Sequence, residues 1–253
     1  MIMSKLKSAL KHYPRLYNFG KNLYYAFRYN LKENLLGTRV RKSEWSTKHI
    51  SEGNEWIMRY WDMRSHAHRS FLIEKLSKLS PFSSMLEVGC NCGPNLYLLA
   101  KKYPKVALRG IDINPLAVKN GNEWLQQEGL SNVKLYVGEA RNLNRFKDKS
   151  FDIVFTDAIL IYVGRDEIKE TIKELIRVAR HYIVLVEWHY FDDKNRDPYG
   201  LGVHQFSLWK RNYKALFGQF VPEENIRITK IPQSLWPDEG WKDYGAVIEV
   251  KLG

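Results

Sequence analysis

From Ser84 to Trp188, short apolar runs alternate with longer amphipathic ones, and this alternation leaves few folds open. "SMLEV", "VALRGIDI", "NVKLYVG", "FDIVFTDAI" and "YIVLVEW" read as strands that are apolar on both faces. Between them, "PNLYLLAKKY" reads as a helix with Pro94 in its first turn, and "PLAVKNGNEWLQQEG" as one closed by Gly129. "RDEIKETIKELIRVAR" carries Ile168, Ile172, Leu175, Ile176 and Ala179 on one helical stripe. Strands without a polar face, each followed by a helix, predict a parallel sheet covered on both sides. Helices are also expected over 53–64 and 66–79. The tail predicts a helix near 205–218. Two strands follow, "NIRITKI" and "YGAVIEVKL", close enough to pair antiparallel at one edge of the sheet.

The first 60 residues differ from the rest. "YPRLYNFGKNLYYAFRYNLKENLLG" puts Leu16, Phe19, Leu23, Phe27 and Leu31 three and four apart, with Arg15, Lys21, Arg28 and Lys32 mostly off that stripe. This spells a basic, Tyr-rich amphipathic helix that stops at Gly37. The chain carries a formal charge of +12, and residues 1–50 hold 11 basic residues against 2 acidic ones. Charge so concentrated points to an anionic partner: a membrane surface, a nucleic acid or an acidic substrate. A solvated helix face is the plainer alternative. The expected division is a basic helical extension or lid over 1–60 and a catalytic domain over 61–253. No apolar run approaches the about 20 residues of a membrane span, and no secretory h-region is present. Two cysteines in a chain of 253 residues give no disulfide framework, which fits a reducing, cytoplasmic setting.

The first strand runs into "EVGCNCGPN", a tight loop that opens a helix. In open parallel sheets, ligands sit beyond the carboxyl ends of the strands. Gly89 and Gly93 let the backbone turn and approach a ligand, and Asn91 stands where a third glycine is common. Asn tolerates left-handed backbone better than most residues, so the loop survives that change. Asp112 follows 23 residues after Gly89, at the end of the second strand, where a carboxylate can accept from both hydroxyls of a ribose. Cys90 and Cys92 read as small residues of this turn. A metal pair lacks further ligands, and a redox pair has two residues between its thiols.

"LEVGCNCGPN", "GIDINPLAVKNG", "LYVGEARNL" and "FDIVFTDAILIYV", in this order, resemble the motif series of class I S-adenosylmethionine-dependent methyltransferases. The likeness spans roughly residues 65–250; a finer likeness is to the methyltransferases of polysaccharide biosynthesis. It implies a doubly wound α/β fold with a seven-stranded, mostly parallel sheet whose last strand is antiparallel, here with an N-terminal helical extension. It also implies S-adenosylmethionine as cofactor. Glu87, Gly89, Cys90, Asn91, Gly93 and Asn95 would then surround the methionine half. Asp112 would hold the ribose, Ile113 would pack on the adenine, and Glu139 with Ala140 would flank it, Glu139 accepting from its amino group. Asp157 and Ala158 would lie near the methyl group. The chain departs from the family pattern in having Asn91 for a glycine and Glu139 for an aspartate. A dinucleotide fingerprint wants a small residue where Pro94 stands, which disfavours nicotinamide and flavin.

Methyl transfer asks the protein to align nucleophile, methyl and sulfur and to exclude water. A hydroxyl acceptor also needs a base, and His189, at the end of the strand "YIVLVEW", is the first candidate, with Asp157 beside the reacting group. Trp188 and Tyr162 are candidate walls of the acceptor pocket. In "YWDMRSHAHRS", His66 is a candidate acceptor contact and Arg64 a candidate partner of the cofactor carboxylate. His66 and His68 have too few neighbouring ligands for a metal site. The chain lacks the Pro-Pro-Tyr/Phe run of amino-methylating DNA enzymes and the Pro-Cys nucleophile of cytosine-C5 enzymes. The expectation is methyl transfer to a hydroxyl of a sugar, glycan or other small molecule. Residues 1–40 are expected to dock on the inner face of a membrane. RNA methylation through the basic segment and a non-catalytic binding role are the alternatives.

Overall fold

The computed structural model describes residues 37–191, 197–205, 208–238 and 240–253. The amphipathic helix expected over 14–36 lies outside the described residues. Three short helices come first: α1 (Arg39–Ser46), α2 (Lys48–Glu52) and α3 (Glu55–Asp62). A 3-10 turn over Met63–Ser65 leads into α4 (Ala67–Ser77). The alternating core follows as β1 (Ser84–Val88), α5 (Pro94–Lys102), β2 (Ala107–Asp112), α6 (Pro115–Gln127), β3 (Val133–Val137), β4 (Phe151–Asp157), α7 (Ile168–Val178) and β5 (Ala179–Trp188). A hairpin of β6 (Val203–Gln205) and β7 (Leu208–Lys210) precedes α8 (Tyr213–Phe217), β8 (Ile226–Lys230), α9 (Trp241–Tyr244) and β9 (Gly245–Lys251).

The seven-stranded sheet has the order β3-β2-β1-β4-β5-β9-β8. The strands from β3 to β5 pair in parallel, and β9 runs antiparallel between β5 and the edge strand β8. Because side chains alternate along a strand, Met85 faces a core built with Leu72, Leu96, Leu99 and Leu125. Leu86 and Val88 face the other, built with Ile172, Leu175 and Leu185. All seven residues of β4 are buried, as a central strand covered on both faces requires. Strand order reverses between β1 and β4, so the crevice for a ligand opens beyond Val88 and Asp157.

Two expected boundaries move. The helix expected to run to Arg180 ends at Val178, because Ala179 is extended and pairs with Phe151. The helix expected over 205–218 is confined to Tyr213–Phe217; its start is fixed where Asn212 Oδ1 accepts from the Ala215 N–H, and the residues before it form the β6–β7 hairpin. Helix α3 crosses residue 60, where the sequence places the end of the extension. It packs Trp56 and Ile57 against Cys92 and Ala117.

Candidate active site

The loop after β1 is shaped by its own backbone. Gly89 has φ of 80°, and a Cβ there would lie 2.1 Å from the Ile159 side chain. Asn91 has φ of 50°, and its Oδ1 accepts from the Cys92 N–H at 2.7 Å, a local bond that holds the left-handed turn. Gly93, with φ of 83°, precedes Pro94, the first residue of α5. Asp112 closes the loop from the next strand: Oδ2 accepts from the Asn91 N–H and Oδ1 from the Asn114 N–H, each at 2.8 Å. Burial raises the Asp112 carboxyl above its ordinary value, and those backbone bonds resist the rise.

A second cluster forms at the end of β4. Asp157 Oδ2 accepts from His68 Nε2 at 3.0 Å, Asn95 Nδ2 at 2.9 Å and Arg69 Nη1 at 3.3 Å. Burial disfavours its charge, but the bond and charge of His68, the charge of Arg69 and the Asn95 bond outweigh it and hold the pKa at about 2. Asn95 also donates to Glu87 Oε1 at 2.7 Å and accepts from Arg69 at 2.8 Å. Glu87 is buried, and burial drives its carboxyl well above the carboxylate range. Glu87 Oε2 and Asp157 Oδ1 are buried and have no hydrogen-bond partner among the described residues. Each unmatched acceptor is costly in the absence of a ligand that donates to it.

These groups surround a cavity of about 330 Å³, enough for one small molecule. Gly89, Asn91, Asp112, Ile113, Glu139, Ala140, Asp157, Ala158 and Tyr162, all candidates from the sequence, line it. Glu87, Gly93 and Asn95 stand behind that lining, Asn95 joining Glu87 to Asp157. Cys90 turns into the core, where Gly110 leaves room for its sulfur; burial keeps both thiols neutral. Thr38, Lys42 and Trp45, from the first described helix and its N-terminal flank, line the side that carries Glu139. Met63, Leu208, Trp236 and Trp241 form an apolar far end.

Four expected contacts are not made. His189 lies outside the lining; its ring packs edge-on to Phe191, its Nδ1 accepts from the Tyr213 N–H, and burial lowers its pKa to about 4. It is a neutral packing group, because the strand that carries it bonds through His189 N–H to Tyr244 instead of turning toward the ligand. Trp188 packs behind Trp241. Arg64 binds the Trp61 carbonyl and lies over the Trp61 and Tyr97 rings, while the neighbouring turn of helix delivers Arg69 to the cavity. His66 is half-buried at the start of α4 and stands behind the lining, touching His68, Nδ1 to Nδ1 at 2.6 Å, and the Trp236 ring. Glu139 is in place, but Oε2 is already held by Lys42 and Arg141, which keeps its carboxyl below the ordinary value. The sequence held one signal for the missed pair: His68 and Arg69 fall on the same helical stripe as Leu72, Ile73 and Leu76.

Residues 85–181 match the family profile described as a methyltransferase domain. An uncharacterized protein of Haemophilus influenzae is 32% identical over 160 residues, covering 62% of this chain and 54% of that protein. The 2-methyl-6-phytyl-1,4-hydroquinone methyltransferase of Synechocystis is 32% identical over 123 residues, covering 47% of this chain and 36% of that one. The chain thus spans about half or less of the length of these curated relatives. Geranyl diphosphate C-methyltransferase from Streptomyces coelicolor, solved with S-adenosyl-L-homocysteine, superposes with a TM-score of 0.55 at 12% identity. The likeness covers 73% of this chain and 78% of that one, and at such identity it speaks for the fold. The sheet order and the strand-end cavity are those of the class I S-adenosylmethionine-dependent methyltransferase fold, and the profile match lies over residues 85–181 of it.

The residues present suit that cofactor. Asp157, at the lining, and Glu87, just behind it, have unmatched carboxyl oxygens for an ammonium, and Arg69 offers a guanidinium to a carboxylate. Asp112 is placed at the lining for a diol, and Gly89 lines the cavity at a point where a Cβ would strike the Ile159 side chain.

Proposed function

We propose that this chain transfers the methyl group of S-adenosylmethionine to a hydroxyl on a ring-bearing small molecule, a sugar ring being the acceptor favoured by the sequence. The observation that carries the reading is the union, in one cavity, of a ribose-type acid, a buried carboxylate and guanidinium pair, and an apolar end with Trp236, Trp241 and Leu208. The bound cofactor supplies an activated methyl on a sulfonium. The protein's part is alignment and exclusion of water. Asp112 and the Gly89 loop fix one end of the ligand, and Arg69, Asn95 and Glu87 fix the other. Trp236 lies stacked between His68 and Trp241, at 4.1 and 3.8 Å between ring centroids, and gives the acceptor end a rigid edge. His68 replaces His189 as the group that takes the acceptor's proton. Asp157 holds its Nε2 side, which leaves Nδ1, bonded to the half-buried His66 ring, as the nitrogen that takes the proton.

The basic residues 1–40 are the proposed means of docking on an anionic membrane. Among the described residues no helix is long and apolar enough to cross one. Calorimetry with S-adenosylhomocysteine tests the cofactor reading, and methyl-labelling of fractionated cell extract identifies the acceptor. Binding without labelling of any fraction would leave a ligand-binding role and remove the enzymatic one. Vesicle co-sedimentation with and without residues 1–40 tests docking; pelleting that ignores anionic lipid overturns it.

A further inference from the structure

Resting on the cofactor reading of the cavity, we propose that residues 38–46 are a strap closed over the adenosine half of the ligand, with Lys42 as its releasable clasp. Three polar ties hold this segment, each to a different part of the domain. Thr38 donates from its N–H and its Oγ1 to Asp166, and its Oγ1 accepts from the Gly164 N–H at 2.8 Å. Lys42 Nζ reaches Glu139 at 2.6 Å and Glu167 at 2.8 Å. The Trp45 carbonyl accepts from Asn114 Nδ2 at 2.8 Å, two residues beyond the ribose acid Asp112. Thr38, Lys42 and Trp45 all line the cavity, so the ties hold one of its walls in place.

Two features make this a clasp and not a fixed wall. Helix α1 has no side-chain N-cap, Arg41 is its buried residue, and its apolar anchoring is confined to its last turn, where Trp45 packs edge-on to Trp56 and Tyr162. A segment held mainly by polar ties opens at lower free energy than the domain unfolds. The acids that Lys42 leaves on opening are not stranded either. Arg141 bonds Glu139 at 3.0 Å and Glu167 at 3.3 Å from the domain side, and it stays with them. Glu139 couples the clasp to the ligand. Lys42 and Arg141 use Oε2, and Oε1 has no partner among the described residues. An amino group on a bound purine can donate to Oε1 while Lys42 keeps Oε2, so ligand and strap share one carboxylate.

The test uses the full chain and S-adenosylhomocysteine as probe, with dissociation followed by chasing labelled ligand at low and high salt. Lys42→Ala is expected to speed dissociation about tenfold and to flatten the rise with salt seen in the wild type, because a partly exposed ion pair is screened. Thr38→Val, which removes a neutral hydroxyl from the Asp166 tie and leaves every ion pair of the strap in place, is expected to speed dissociation while keeping the salt dependence. Equal melting temperatures show that the variants fold. A Lys42→Ala rate equal to wild type at both salts overturns the clasp while leaving the cofactor reading intact. Absence of S-adenosylhomocysteine binding to the wild type overturns the cofactor reading, and the clasp with it.

Discussion

The two sides of the cavity are built differently. The floor, from Gly89 to Asp112, is made by backbone: positive φ at Gly89, Asn91 and Gly93, and main-chain N–H groups aimed at one carboxylate. The roof and far end, from Thr38 to Arg69 and at Trp236, are made by side chains that reach across from other elements. A backbone site depends on residue types at fixed spacing along the chain. A side-chain site depends on which helices come to rest against which strands. The floor should therefore fail through geometry and the roof through charge.

Asp157→Ala should break the contrast most sharply. It removes the acid beneath His68 and Arg69 and leaves a buried guanidinium without its counter-charge, a change that typically costs about 3–5 kcal/mol. Urea unfolding is expected to show the loss, and unchanged stability would mean that Arg69 finds another partner. On the floor, Asp112→Ala should lower S-adenosylhomocysteine affinity about 100-fold, with a smaller effect on stability, since it would delete the charge-assisted bonds to two hydroxyls that the cofactor reading proposes for this lining residue. Calorimetry decides it, and a change under threefold would move the ribose elsewhere.

Acid should separate the sides next. The Asp157 pKa is depressed from 3.8 to about 2, so its contribution is present above the unfolded value and lost as pH falls through the folded one. The shift corresponds to roughly 2 kcal/mol of stability that disappears between about pH 4 and pH 2. Asp157→Asn should flatten that part of the pH–stability curve, and a slope unchanged by the substitution would assign it to other carboxylates. Glu87 shifts the other way: burial favours its protonated form, and an arriving ammonium favours its ionised form. Cofactor binding should then release a proton, seen as a dependence of binding heat on buffer ionisation enthalpy and absent in Glu87→Gln. The smallest effect is expected from Cys90 and Cys92 changed together to Ala, because neither thiol lines the cavity. Affinity should stay within about twofold, with the cost confined to packing in the buried loop.

The sheet was legible because its strands are apolar on both faces, and a period of two with no polar side admits few other uses. Gly89, Asn91, Asp112 and Asp157 were legible because each sits at a strand end that the topology places at the switch point. His189 misled for the same reason: it too follows a strand, but that strand pairs with β9, whose neighbour α9 binds its N–H. Arg64 misled because only helix phase separates it from Arg69, five residues on. The Lys42 clasp had no local signal; its partners lie 97 and 125 residues away.

By itself the sequence determined the alternating architecture, the turn after β1 and the acids that follow strands β2 and β4, since these depend on backbone permissiveness and short-range periodicity. Only the tertiary structure decided that His68 and Arg69 meet Asp157, that Glu139 is shared with Lys42, and that the aromatic end is Trp236 with Trp241 and not Trp188. Those choices are made when separately formed elements pack. Burial then leaves each charge dependent on partners that no spacing along the chain specifies.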